Sequence, residues 1–202
     1  MKAVWDLGAN NGHYSQIATD LGAHTVAFDI DPVAVDSNWR RVKKTHDKTL
    51  PLILDLTAPS PAIGFGNNER LTIDERQKPD VIMMLAVIHH MAISNNLPFD
   101  KIANWLSGLC RYLIIEFVPK EDSQVQLLLK TRTDIFDDYN ESHFEEVFCE
   151  YFVLLAKSEV EDSQRTLYLL ETQRSSHFSL HSNSSTSQTG ILQTGTFQNG
   201  CG

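Results

Sequence analysis

Trp5 to Ser15 reads WDLGANNGHYS. The apolar run Ala3-Val4-Trp5 leads into Gly8 and Gly12, and a helical pattern starts at once. Tyr14, Ile17, Ala18 and Leu21 fall at i, i+3, i+4 and i+7, and Gly22 ends the pattern. A strand that turns through glycine and asparagine into a helix is either a tight turn or a nucleotide site, because glycine lets the backbone turn sharply and approach a ligand closely.

Outward from this corner, strands and helices alternate. Lys2–Leu7 reads as a buried strand and His24–Ile30 (HTVAFDI) as the second. Asp31-Pro32 then opens a helix, with Asp31 as N-cap and proline at the first position; Val35, Trp39 and Val42 form its apolar stripe. Leu50–Leu54 is strand three. A long connection follows, with Pro59, Pro61, Gly64 and Gly66 and a short helix around Glu69–Arg76. Asp80–Val87 (DVIMMLAV) is strand four, Phe99, Ile102, Ala103 and Leu106 mark a helix, and Tyr112–Val118 (YLIIEFV) is strand five. Ser123–Arg132 and Glu141–Tyr151 read as helices, and Phe152–Lys157 and Thr166–Leu170 as closing strands. Strands apolar on both faces and alternating with helices predict a parallel sheet covered on both sides. The last two strands are joined by a short polar link, which predicts an antiparallel pair, because a parallel return needs a longer crossover. The expected class is α/β: a Rossmann-like, doubly wound, mostly parallel seven-stranded sheet with a final antiparallel strand.

The 202 residues suffice for one domain with a core of its own. A net charge of −9 argues against non-specific nucleic-acid binding, which needs a basic footprint, and favours a small molecule or a protein as partner. Cys110, Cys149 and Cys201 are odd in number and form no C-x-x-C pair, which favours a reducing, cytoplasmic compartment. No signal-peptide pattern precedes the first strand, and no apolar run is long enough to span a bilayer. Composition changes near Thr172. Residues 1–172 read as the folded domain and 173–202 as a polar, disordered tail of Ser, Thr, Gln, Asn and Gly. His177 and His181, four apart in that tail, read as part of it rather than as a metal pair, and no metal site is expected.

Three nucleotide readings of the corner compete with a plain turn. A phosphate loop needs Lys after its last glycine, and Gly12 is followed by His13. The dinucleotide fingerprint would require glycines where Asn10 and His13 stand. Asp6-Leu7-Gly8-x-Asn10-x-Gly12 instead resembles motif I of the class I S-adenosylmethionine-dependent methyltransferases, in its asparagine-containing variant. The resemblance runs from about Lys2 to Glu171. AFDIDP resembles the motif whose acidic residue holds the ribose hydroxyls, which implies Asp29; Asp31 remains the helix cap. LILDLT resembles the motif in which an Asp meets the adenine amino group, which implies Asp55, with Leu56 beside it. MLAVIHHM and IIEFVPKEDSQV resemble a bacterial subgroup with nodulation-protein-like members, and place Leu85 in the cofactor site.

The resemblance implies S-adenosylmethionine as cofactor, bound by Asp6, Gly8, Asn10, Gly12, Asp29, Asp55, Leu56 and Leu85, and a small-molecule methyl acceptor beyond strand four. Each carboxylate also has a plainer reading: Asp6 as loop anchor, Asp29 as a strand-end residue, Asp55 as a turn residue. His89, His90 and Glu116 are the candidate catalytic groups, histidine being suited to take a proton near neutral pH. The alternative for the histidines is one in the core and one facing solvent. The N/D-P-P-Y/F motif of enzymes acting on exocyclic or amide nitrogens is absent. Family members carry a segment before strand one, and this sequence opens on that strand. The resemblance therefore implies either an enzyme complete in one chain or a cofactor-binding module that needs a missing N-terminal domain or partner chain. No nucleic acid or membrane partner is expected.

Overall fold

The computed structural model describes residues 2–173. The tail expected over 173–202, with His177, His181 and Cys201, lies outside the described residues apart from Gln173. Seven strands form one sheet: β1 (Ala3–Leu7), β2 (His24–Asp29), β3 (Thr49–Ile53), β4 (Val81–Met84), β5 (Tyr112–Phe117), β6 (Phe152–Glu159) and β7 (Thr166–Thr172). Their order is β3-β2-β1-β4-β5-β7-β6. All pairs from β3 to β5 are parallel, and β7 is antiparallel to both β5 and β6. The expected α/β class, parallel body and antiparallel closure are all present.

The helices are α1 (His13–Asp20), α2 (Pro32–Thr45), α3 (Phe99–Leu109), α4 (Ser123–Leu129) and α5 (Glu141–Tyr151). Asp31 caps α2 through a hydrogen bond from the Val33 N–H, with proline at the first position. Alternation along each strand sorts the two faces of the sheet. Ile82, Met84, Leu113, Ile115, Phe117, Tyr168 and Leu170 are buried in the main core with Ile102 and Leu106 of α3 and Phe144 and Phe148 of α5. On the opposite face a smaller cluster joins Val4, Ala18 and Ala23, with Val81 and Met83 packed beside it.

Three elements differ from expectation. Strand four ends at Met84 rather than Val87, because Ala86 takes a positive φ of 54° and turns the chain away from the sheet. A π-helix, His90–Ser94, follows. The long connection before β4 holds only two single turns of 3₁₀-helix, Phe65–Asn67 and Ile73–Glu75.

Candidate active site

The corner between β1 and α1 is a backbone-built loop. The Gly8 and Ala9 N–H groups both donate to the Phe28 carbonyl, at 2.8 and 2.9 Å, and the Gly12 N–H donates to the Ala9 carbonyl at 2.8 Å. Gly8 has φ +78°, and a Cβ there would lie 2.2 Å from Cγ2 of Val87. Gly12 has φ +82° and faces the buried Asn38 of α2, whose Oδ1 would be 2.3 Å from a Cβ. Both glycines are thus required by conformation and by close packing.

The loop forms one wall of a cleft of about 570 Å³ at the carboxyl ends of β1, β2, β4 and β5, which is where ligands bind in open α/β sheets. Of the residues expected to hold cofactor, Asp6, Gly8, Asn10, Asp29, Asp55, Leu56 and Leu85 line it. Gly12 does not; it holds α1 against α2 instead. Among the candidate catalytic residues His90 and Glu116 line the cleft, whereas His89 lies beneath it, only 1 % exposed.

Asp29 is fixed at both oxygens. Oδ2 accepts the Asn10 N–H at 2.7 Å and Oδ1 the Asp31 N–H at 2.9 Å. Each carboxylate oxygen keeps acceptor capacity toward the cleft. Asp55 turns the chain after β3: its Oδ1 accepts from the Thr57 hydroxyl at 2.7 Å and the Thr57 N–H at 2.8 Å, and these bonds hold its pKa below the usual carboxylate value. Its other oxygen carries no such bond. Asp6 sits on the cleft floor, only 2 % exposed, and accepts from Ser15 Oγ at 2.5 Å. Burial pushes its pKa up to about 6, with the Asp29 charge adding a smaller push.

The histidines divide sharply. Neither ring nitrogen of His89 finds a hydrogen-bond partner, and burial, followed by the neighbouring His90, lowers its pKa to about 3. It is therefore neutral and packs against His90, the ring centroids 4.2 Å apart. Burial also lowers the pKa of His90, which favours the unprotonated form that accepts a proton.

Sequence reasoning missed Arg165. It stands at the base of the β6–β7 hairpin, where its carbonyl accepts the Val160 N–H at 2.9 Å. Its Nε donates to Asp122 at 2.8 Å, and Nη1 lies 3.7 Å from Glu116. The cleft therefore has one cationic side chain in its lining, tied sideways to two carboxylates. Only the antiparallel register, which sets Thr166 opposite Phe117, brings Arg165 to this end of the sheet.

This strand order, parallel from β3 to β5 with β7 antiparallel between β5 and β6, is the Rossmann-like fold seen in S-adenosylmethionine-dependent methyltransferases. In sequence, the chain is 39 % identical over 171 residues to nodulation protein NoeA of Rhizobium meliloti (strain 1021). The match covers 84 % of this chain and 36 % of that relative, so the chain spans about a third of the relative's length. Solved structures of similar fold include the two that follow. The PH0226 protein of Pyrococcus horikoshii OT3 superposes with a TM-score of 0.61 at 14 % identity, covering 85 % of this chain and 82 % of that one. Magnesium protoporphyrin IX methyltransferase (ChlM) of Synechocystis PCC 6803, solved with bound SAH, gives 0.56 at 16 % identity, covering 85 % and 74 %. No family model matches the sequence.

Proposed function

We propose that this chain is an S-adenosylmethionine-dependent methyltransferase domain acting on a small-molecule acceptor in a reducing, cytoplasmic compartment. The observation that carries this reading is the convergence of Asp29, Asp55 and the Gly8–Asn10 loop on one cleft at the carboxyl ends of the strands. Two donor-seeking carboxylates there fit a ligand with vicinal hydroxyls and an exocyclic amine. The cofactor, when bound, supplies a methyl group on a sulfonium.

The protein's own residues do the rest. Asp29, held rigid by two backbone donors, accepts from the ribose hydroxyls. The free oxygen of Asp55 accepts from the adenine amine. Asp6 presents negative charge on the cleft floor toward the amino-acid end. Glu116 orients the acceptor, and His90, unprotonated, takes the proton that the acceptor loses. Much of the rate comes from holding donor and acceptor in line, so the absence of a stronger base is no obstacle.

A second reading is a cofactor-binding module that needs a further domain for turnover; the greater length of nodulation protein NoeA, of which the match covers 36 %, supports it. A thermal-shift comparison tests the common part. S-adenosylhomocysteine at a hundredfold excess over its Kd should stabilise the protein by about 2.7 kcal/mol, and NAD should not. A larger shift with NAD would overturn the cofactor assignment. Production of S-adenosylhomocysteine with any acceptor would then exclude the module reading.

A further inference from the structure

A second cavity, of about 340 Å³, lies on the other side of the π-helix from the cleft. Ser94 and Asn95 face the cleft, while Ala92 and Asn96 face this cavity. Leu97, Pro98, Phe99, Phe136 and the ring of Tyr139 give it an apolar side, with Ile135 left 70 % exposed, and Asn96, Arg132, Asp138 and His143 supply the polar groups. Its size and lining suit a small molecule rather than a water cluster.

One charged group dominates it. The half-buried guanidinium of Arg132 lies 5.0 Å from the Phe136 ring centroid. It donates to the Ile93 carbonyl and, at 3.0 Å, to Asn96 Oδ1. Both acceptors are neutral. Arg132 forms no ion pair among the described residues, although Asp138 lines the same cavity and His143 stands at its edge. With only these two neutral acceptors engaged, the five-donor guanidinium keeps N–H groups free for an incoming anion. In a chain of net charge −9 its positive charge is the reverse of the prevailing sign. An arginine fixed by stacking is also pre-organised for an oxyanion.

We propose that this cavity is a second ligand site, distinct from the cleft, for a small molecule with a flat apolar body and one anionic group of the carboxylate or sulfonate kind, which Arg132 holds. A pair of fluorescent probes tests it: 8-anilinonaphthalene-1-sulfonate and its uncharged counterpart N-phenyl-1-naphthylamine, titrated into the whole chain. The sulfonate should bind at one site, about tenfold more tightly than the uncharged probe. Arg132→Met should abolish that preference and leave the uncharged probe unaffected, while Arg132→Lys should restore part of it. Ile135→Asp, at an exposed position, should weaken both probes without unfolding the protein. Excess S-adenosylhomocysteine should displace neither. Equal affinity for the two probes, displacement by S-adenosylhomocysteine, a sulfonate preference that survives Arg132→Met, or binding unchanged by Ile135→Asp would each overturn the proposal. If S-adenosylhomocysteine binds nowhere, the methyltransferase reading fails, and the probe result still decides this one.

Discussion

At the residue scale, three substitutions give separable outcomes. In Asp29→Asn one oxygen becomes an amide donor facing either a backbone N–H or a ribose hydroxyl. Hydrogen bonds to a charged group contribute roughly 1.5–3 kcal/mol, so affinity for S-adenosylhomocysteine should fall roughly ten- to hundredfold by isothermal titration. Asp31→Asn should leave it nearly intact, since asparagine caps a helix about as well as aspartate; an equal loss there would move the ribose site one turn along. Asp6 and His89 oppose each other in pH. Asp6 titrates at about 6 in the fold against 3.8 ordinarily, so its buried charge opposes folding above about pH 6, and the penalty vanishes as pH falls toward 4. His89, lowered from 6.5 to about 3, resists protonation that the unfolded chain accepts, so its contribution is lost as pH falls through the same range. Asp6→Asn should therefore raise the Tm at about pH 8, by an amount corresponding to roughly 2–3 kcal/mol. It should confer almost nothing at about pH 4 and make the protein more acid-sensitive than the parent. A Tm gain that is the same at both values would show that Asp6 is not the titrating group.

At the scale of single elements, the glycine that misses the cleft makes the sharpest test. Gly12→Ala forces a side chain into the left-handed region and against Asn38, which itself holds Arg41 through a 2.9 Å bond. Gly22→Ala carries similar backbone strain at φ +89° but meets nothing within 4 Å. Left-handed backbone alone costs about 1–2 kcal/mol. Gly12→Ala should lose more denaturant-measured stability than Gly22→Ala, by the cost of displacing Asn38, and equal losses would remove α2 from the role assigned to Gly12. The same contrast shows what a sequence discloses. Asp31-Pro32 announced α2 because capping is local chemistry, and the β-strands announced themselves by apolar runs. The end of β4 did not: Ala86 at positive φ has no local signature, and the π-helix after it reads as ordinary helix residues. Seven of the eight cofactor candidates reached the cleft because each sits in a short motif at the carboxyl end of β1, β2, β3 or β4, and parallel pairing brings those ends together. Arg165 stayed hidden because its place depends on a register between strands far apart in sequence, and His89 could not be told from His90 until the turn at Ala86 aimed only one of them at the cleft.

At the scale of the whole molecule, β7 is the keystone of the closing half of the sheet. It lies between β5 and β6, and it supplies Tyr168 and Leu170 to the main core. The edge strand β6 pairs with β7 alone, and its Val153, Leu154 and Leu155 are exposed beside a bulge between Leu154 and Ala156, a device that discourages edge-to-edge pairing. This arrangement sets a timetable for synthesis on the ribosome. The parallel body through β5 emerges first, followed by β6, an apolar strand with no hydrogen-bonding neighbour until the later β7 arrives and slots in between. Domains made in this order expose unpaired edges while they wait. In nascent chains arrested at increasing lengths, protease protection of Phe152–Glu159 should be absent from every chain in which Thr172 is still inside the exit tunnel. It should appear abruptly once Thr172 clears. Protection before that point would mean that β6 first docks elsewhere and changes neighbour. In the expected case, the interval between the emergence of Glu159 and of Thr172 is the window in which a chaperone gains most by holding this chain.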